Sequence, residues 1–124
     1  MHRYQKGLEQ SVEFEISERV LLIKINGELD HHASIYVREA DEIICRERII
    51  NIIFNFENTS FMDSSGIGVI MGRYKKIRDF GGKIGVINVS DNVEKILMFS
   101  GLNKIVNHYS NIEEGINDMR GGII

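Results

Sequence analysis

Asp63, Ser64, Ser65 and Gly66 are the residues whose types and spacing suit chemistry in this chain. Two hydroxyls stand in tandem behind a carboxylate and ahead of a glycine. Such a set offers a hydrogen-bonding cap for a helix start. It also offers a hydroxyl that can accept a phosphoryl group, since the free N–H groups and positive dipole end of a helix favour a phosphate. The flanking residues supply that helix start. Upstream, Ile49-Ile50-Asn51-Ile52-Ile53-Phe54 is apolar and β-branched, as a central strand requires. Downstream, Ile67, Ile70, Tyr74 and Ile77 recur at three- and four-residue spacing, one face of a helix. Asp, Ser and Gly also gather at helix starts for capping alone, and tandem serines let one cap while the other faces solvent. Against that plainer reading stands the expectation of a reversible phosphorylation switch on one of the two serines.

Other reactive arrangements are sparse. Gly is missing two residues before either serine, so the loop is not a G-x-S-x-G nucleophile elbow. There is no GxxxxGK[ST] phosphate loop and no GxGxxG after a strand. His31 and His32 invite a metal reading, but adjacent helical residues diverge by ~100° and cannot chelate one ion together. No CxxC or HxxxH spacing accompanies them. A Ser–His pair lacks a third, orienting residue. The expectation is a protein that is not an enzyme and needs no metal or cofactor of its own. Cys45, late in a helical pattern beside Ile43 and Ile44, reads as a small packing residue.

The chain has 124 residues, enough for one domain with a real core. Its net charge of -3 gives no basic bias toward nucleic acid. A single cysteine rules out an internal disulfide and is compatible with a cytoplasmic setting. No apolar run approaches the ~20 residues of a membrane span. Met1 to Lys6 lacks the apolar stretch of a signal peptide. Neither nucleic acid nor membrane is expected as a partner.

Elements to position the serine loop follow from the order of patterns. Residues 1–10 are polar and unpatterned and read as a mobile N-terminal tail, leaving 11–124 as the domain. Val12 to Ile16 alternates as a half-buried strand. Ser17-Glu18-Arg19 turns into a second strand, Val20 to Ile25, making a hairpin. Asp30 is placed to cap a helix whose apolar face is Ala33, Tyr36, Val37, Ala40, Ile43 and Ile44. That puts His31 and His32 in its exposed first turn. Arg73, Lys75, Lys76 and Arg78 read as the outer face of the helix after the serines, solvated or docking an acidic partner. Gly81-Gly82 ends that helix, and Lys83 to Ile87 is a strand. Asp91 with Glu94 resembles a capping box, ahead of a short helix with Val93, Ile96 and Leu97 inside. Met98 and Phe99 flank that face; one is expected in the core and the other as a contact point for a partner. Ile105-Val106 reads as an edge strand, and Asn111 with Glu114 starts a last helix. The order β-β-α-β-α-β-α-β-α predicts a small α/β domain with a mixed sheet, mostly parallel, carrying one antiparallel hairpin.

Three blocks, in order, carry a resemblance: Gly27-Glu28-Leu29-Asp30-His31-His32, then Phe61 to Lys75, then Gly81-Gly82 with Ser100-Gly101-Leu102 and Lys104-Ile105. Together they closely resemble the anti-sigma factor antagonists of the STAS family, over about residues 11 to 118. The chain departs from that pattern in its longer N-terminal tail and at Ile67, where Leu is common. The resemblance implies a single STAS-like domain with helices packed mainly on one side of the sheet. It implies an unphosphorylated protein that binds an anti-sigma factor serine kinase, which holds the ATP or ADP, and so releases a sporulation sigma factor. It implies phosphorylation on the first serine after the aspartate, Ser64, and reversal by a metal-dependent serine phosphatase. Asp30 is similar to a family residue implicated in the kinase interaction. The partner-binding set is then Asp30, Asp63, Ser65, Gly66 and Ile67. Phe61, Met62 and Val69 stand nearby, some of them necessarily core. Gly66 and Gly68 either let the partner approach the backbone or serve helix packing. The alternative is a STAS scaffold or sensor in another signalling assembly.

Overall fold

Strands form where β-branched residues alternate or run continuously, and the register follows from which face they bury. The computed structural model describes residues 2–6 and 11–121. Among these, six strands form one sheet in the order of the chain. β2 (Val12–Ser17) and β3 (Val20–Asn26) are the expected antiparallel hairpin. Its two-residue turn holds Glu18 and Arg19 at φ 49° and 69°. Positive φ at both positions matches the twist of the strands it joins. β4 (Asn51–Asn58), β5 (Ile84–Ile87) and β6 (Val106–His108) add on in parallel.

The tail expectation meets a difference. His2–Lys6 forms β1, antiparallel to β2; the rest of the 1–10 stretch lies outside the described residues. Without β1, β2 would be an edge with a row of unpaired N–H and C=O groups. Backbone pairing satisfies those groups and demands no apolar pattern, which is why the polar sequence carried no sign of it.

Alternation gives the sheet two unlike faces. One collects Phe14, Ile23, Phe54, Val86 and their neighbours, all buried. Against it pack α1 (His31–Val37), α2 (Ala40–Glu47), α3 (Ser64–Ile77) and α4 (Asp91–Ser100). The other face carries Val20, Leu22, Ile53 and Ile87, under Ile116 and Met119 of α5 (Ile112–Met119). Four helices on one side and one on the other is the arrangement implied by the family resemblance. The start of α5 is capped as its sequence suggests: Asn111 Oδ1 accepts from Glu114 N at 2.8 Å.

Several local expectations are corrected. The helix expected from residue 31 to 44 is two helices. At Arg38 and Glu39 the bonds tighten to three-residue spacing, with Glu39 N to Tyr36 O at 3.0 Å and Asp41 N to Arg38 O at 3.1 Å. Arg73, assigned to the outer face, is 6% exposed. It lies three or four residues from Ile70, Val69 and Ile77, all buried, so helical spacing overrides its charge. Its Nε sits 3.0 Å from Asp41 Oδ1, tying α3 to α2. The contact is close but not aligned as a hydrogen bond. Burial lowers the Arg73 pKa, with Asp41 opposing that shift. Met98 and Phe99 are both outside, Phe99 at 91% exposed, because Val93 and Leu97 complete the buried face of α4. Ser90, not Asp91, caps α4. Cys45 is exposed.

Candidate functional site

Parallel strands all deliver their chain at the same end, and the helices that follow begin there. β3, β4 and β5 lead into α1, α3 and α4, so three helix N-termini share one pole of the molecule. Two of them are fastened directly. Leu29 and Met62 form a parallel bridge beyond the strands. Leu29 N donates to Phe61 O at 3.0 Å, and Asp63 N donates to Leu29 O at 3.3 Å. The next residue on each segment is a helix cap, Asp30 or Asp63. Both have φ -103° and ψ -169°. Asp30 Oδ1 accepts from Ala33 N at 2.9 Å. Asp63 Oδ1 accepts from Ser65 N at 2.8 Å and Gly66 N at 3.3 Å. The bridge therefore brings two carboxylates, thirty-three residues apart in the sequence, to neighbouring helix starts.

Capping falls to the aspartate and not to either serine. The cap is thus made by the Asp63 carboxylate, which leaves both serine hydroxyls out of the capping bonds. Ser64 is the first residue of α3 and is exposed. No hydrogen bond among the described residues engages its hydroxyl. Ser65 is half-buried. The glycines, left open by sequence, divide. Gly66 is buried, and a Cβ there would lie 2.5 Å from Leu29 O and 2.8 Å from Leu29 Cγ. It is the close fit between α3 and the Leu29 backbone that needs glycine. Gly68 is exposed, with nothing within 4 Å of an added Cβ.

The loop before the serines is firm. Thr59, buried, donates from Oγ1 to Ile25 O at 3.1 Å. Asn58 Nδ2 donates to Asn26 Oδ1 at 2.8 Å, and Asn92 Nδ2, at the start of α4, to Ser60 O at 2.8 Å. Sequence reasoning missed these three, since each partner is more than thirty residues away. Of the apolar residues around the loop, Met62 and Val69 are core, Phe61 is 43% exposed and Ile67 is half-buried. His31 and His32 are exposed in the first turn of α1, as expected, with the His32 ring set edge-on to Tyr36 at 5.4 Å. Among the described residues no group of three or more His, Cys, Asp or Glu is placed to hold a metal ion. No helix there is long and apolar enough to cross a membrane.

This firm pole, with a free hydroxyl at a helix start, falls inside the span that matches a known family: residues 11–115 match the STAS domain. The chain belongs to the STAS family. Within that family it is 46% identical over 101 residues to an anti-sigma F factor antagonist of Paenibacillus polymyxa, covering 81% of this chain and 86% of the relative. The unphosphorylated form of the anti-sigma factor antagonist SpoIIAA has the same fold. Its TM-score is 0.79 at 36% identity, covering 91% of this STAS chain and 98% of the other. The phosphorylated form of Bacillus SpoIIAA matches with a TM-score of 0.68 at 33% identity, covering 86% and 97%.

Proposed function

We propose that this STAS protein is an anti-sigma factor antagonist whose hold on an anti-sigma factor serine kinase is ended by phosphorylation of Ser64. The observation that carries the proposal is the free, exposed Ser64 hydroxyl on a rigid helix start, with capping done by Asp63. Relatives bearing the antagonist name, and a phosphorylated SpoIIAA of the same fold, support it. In this reading the unmodified protein occupies the kinase and a sporulation sigma factor is released. Asp30, Asp63, Ser65 and Ile67 contact the kinase, and Gly66 contributes by setting the shape of the loop. The protein is a substrate and not a catalyst. The kinase brings ATP, and Ser64 Oγ displaces ADP from the γ-phosphorus while its proton passes to a base on the kinase. A metal-dependent serine phosphatase reverses the step, all of it in the cytoplasm.

The physics of the switch is electrostatic. A phosphoserine adds a charge of about -1.5 to -2. In the free protein the start of α3 accepts it. In the complex the group would be desolvated between Asp63 and the Asp30 cap. Burying such an unpaired charge costs several kcal/mol, and ~4 kcal/mol is about a thousandfold in affinity. The test is incubation with the cognate kinase and ATP, followed by intact mass and peptide mapping. One added phosphate on Ser64, absent in Ser64→Ala, is the expected result. Phosphate on Ser65 would move the site. No phosphate from a kinase proven active on another substrate would overturn the reading.

A further inference from the structure

The pole opposite the serine loop holds a second feature that the switch does not use. It lies where α2 and α3 end and β4 begins, roughly 18 Å along α3 from Ser64. A cavity of about 400 Å³ opens there. Small-molecule sites usually measure ~300–1,000 Å³, mostly apolar with a few fixed polar groups. Ile44, Ile49, Ile50 and Phe80 supply its apolar lining, and Cys45 is on the wall. Gly82 brings the chain hard against the floor: a Cβ there would lie 1.8 Å from Ile50 O. Phe80 is 72% exposed, an aromatic ring left with water on most of its surface.

The charged residues lining this cavity are both cations, Arg48 and Lys76. Basic residues at helix C-termini complement the dipole, which accounts for their sign. It does not account for the backbone of Arg48. That residue caps α2 in the left-handed region, at φ 55° and ψ 45°. Glycine adopts that conformation without the clash that any side chain brings. Here the strained position carries a guanidinium that makes no ion pair among the described residues. Among the described residues the ion-pair partner of Lys76 is Asp41, at 3.7 Å, a carboxylate it shares with Arg73. An apolar hollow with an uncommitted guanidinium and a loosely held ammonium complements one class of molecule: an apolar chain with a carboxylate head. Arginine would bind that head in two parallel hydrogen bonds.

We propose that this cavity binds a single-chain fatty acid of medium length, its carboxylate on Arg48 and its chain over Phe80 and the isoleucines. The inference is independent of the phosphorylation switch. Cys45, the sole cysteine, reports on it directly. Labelling of the full chain by an uncharged maleimide is followed with decanoate added below its aggregation concentration. Decanoate should slow labelling saturably, about tenfold when bound; acetate should have no effect and decanol should be a much weaker protector. Arg48→Gly removes the guanidinium and relieves the backbone at once. It should fold with an equal or higher Tm yet weaken decanoate by about tenfold or more, as expected for a lost charge-assisted hydrogen bond. Phe80→Ala, at an exposed position, should weaken it too.

Three outcomes would overturn the proposal. One is no protection by decanoate; another is equal protection by decanol; the third is undiminished decanoate binding by Arg48→Gly. If decanoate fails while the protein sediments with phosphatidylglycerol vesicles in a Phe80-dependent way, the patch is a membrane-surface contact and the fatty-acid site is refuted.

Discussion

Ser64 and its neighbours can be separated by the work each does. Ser64→Ala should hold the kinase permanently and Ser64→Asp should bind it poorly, measured as affinity for the ADP-loaded kinase. Tight binding by Ser64→Asp would refute the charge mechanism. Gly66→Ala forces a Cβ to within 2.5 Å of the Leu29 carbonyl oxygen. It should cost about 1–3 kcal/mol of stability, seen as a lower urea midpoint. Gly68→Ala meets open space, so it should stabilise the helix by about 0.5–1 kcal/mol. If the kinase packs on the bare backbone of Gly68, the same variant should nonetheless bind the kinase less well. A gain in stability with a loss in affinity separates a contact from a packing role. The serines were legible in sequence because cap and acceptor chemistry use the same residue types. Which of the three oxygen-bearing side chains capped was not legible. That depends on the extended backbone of Asp63, fixed from outside by the bridge to Leu29.

At the scale of elements, periodicity located the strands of the central sheet and the apolar faces of its helices, although it ran α1 and α2 together as one helix. It failed where another force decided the outcome. β1 is held by backbone pairing and needed no pattern. Arg73 follows the buried stripe of α3 in spite of its charge, because Asp41 on α2 meets it. In sequence a charge signals exposure, and the Asp41 partner that reverses that signal lies far along the chain on another helix. The pair makes a prediction. Asp41→Ala leaves a buried guanidinium unpaired, a loss that reaches ~3–5 kcal/mol for fully buried pairs. The cost here should be smaller, since the Asp41 side chain is 36% exposed. Adding Arg73→Met should recover most of it, because an apolar chain of similar reach tolerates the same burial. Urea midpoints of the wild type, the single and the double variant check this. A double variant no more stable than Asp41→Ala would show that the ion pair is not what joins α2 to α3.

For the whole molecule, the two faces of the sheet have unequal security. Four helices cover one face, while α5 alone covers the other and depends on a small polar lock. Tyr109 donates its hydroxyl to Asp118 Oδ2 at 2.5 Å, and Lys83 Nζ lies 3.3 Å from the same oxygen. The Tyr109 ring fills space that Gly85 and Gly115 leave open, where a Cβ would come within 2.5 and 3.0 Å of it. The Tyr109 hydrogen bond first, and Lys83 second, hold the Asp118 carboxyl below its ordinary range. Burial first, then Asp118, pushes the Tyr109 phenol above its own. The signs set the pH window. A carboxyl with a depressed folded pKa stabilises the fold above its unfolded value, about 4, and loses that contribution as pH falls through the folded value. A phenol with a raised folded pKa stabilises it fully below its unfolded value, about 10, and loses that contribution as pH climbs past it toward the folded value. The lock should therefore be whole between about pH 4 and 10 and weaken on both sides. In Tyr109→Phe the alkaline loss should vanish and the acid loss should shrink, since Lys83 alone then acts on Asp118. Urea midpoints across pH 2 to 11 should show the two curves converging at both ends. Parallel curves would mean that α5 is held by Ile116 and Met119 alone, with no contribution from the polar lock.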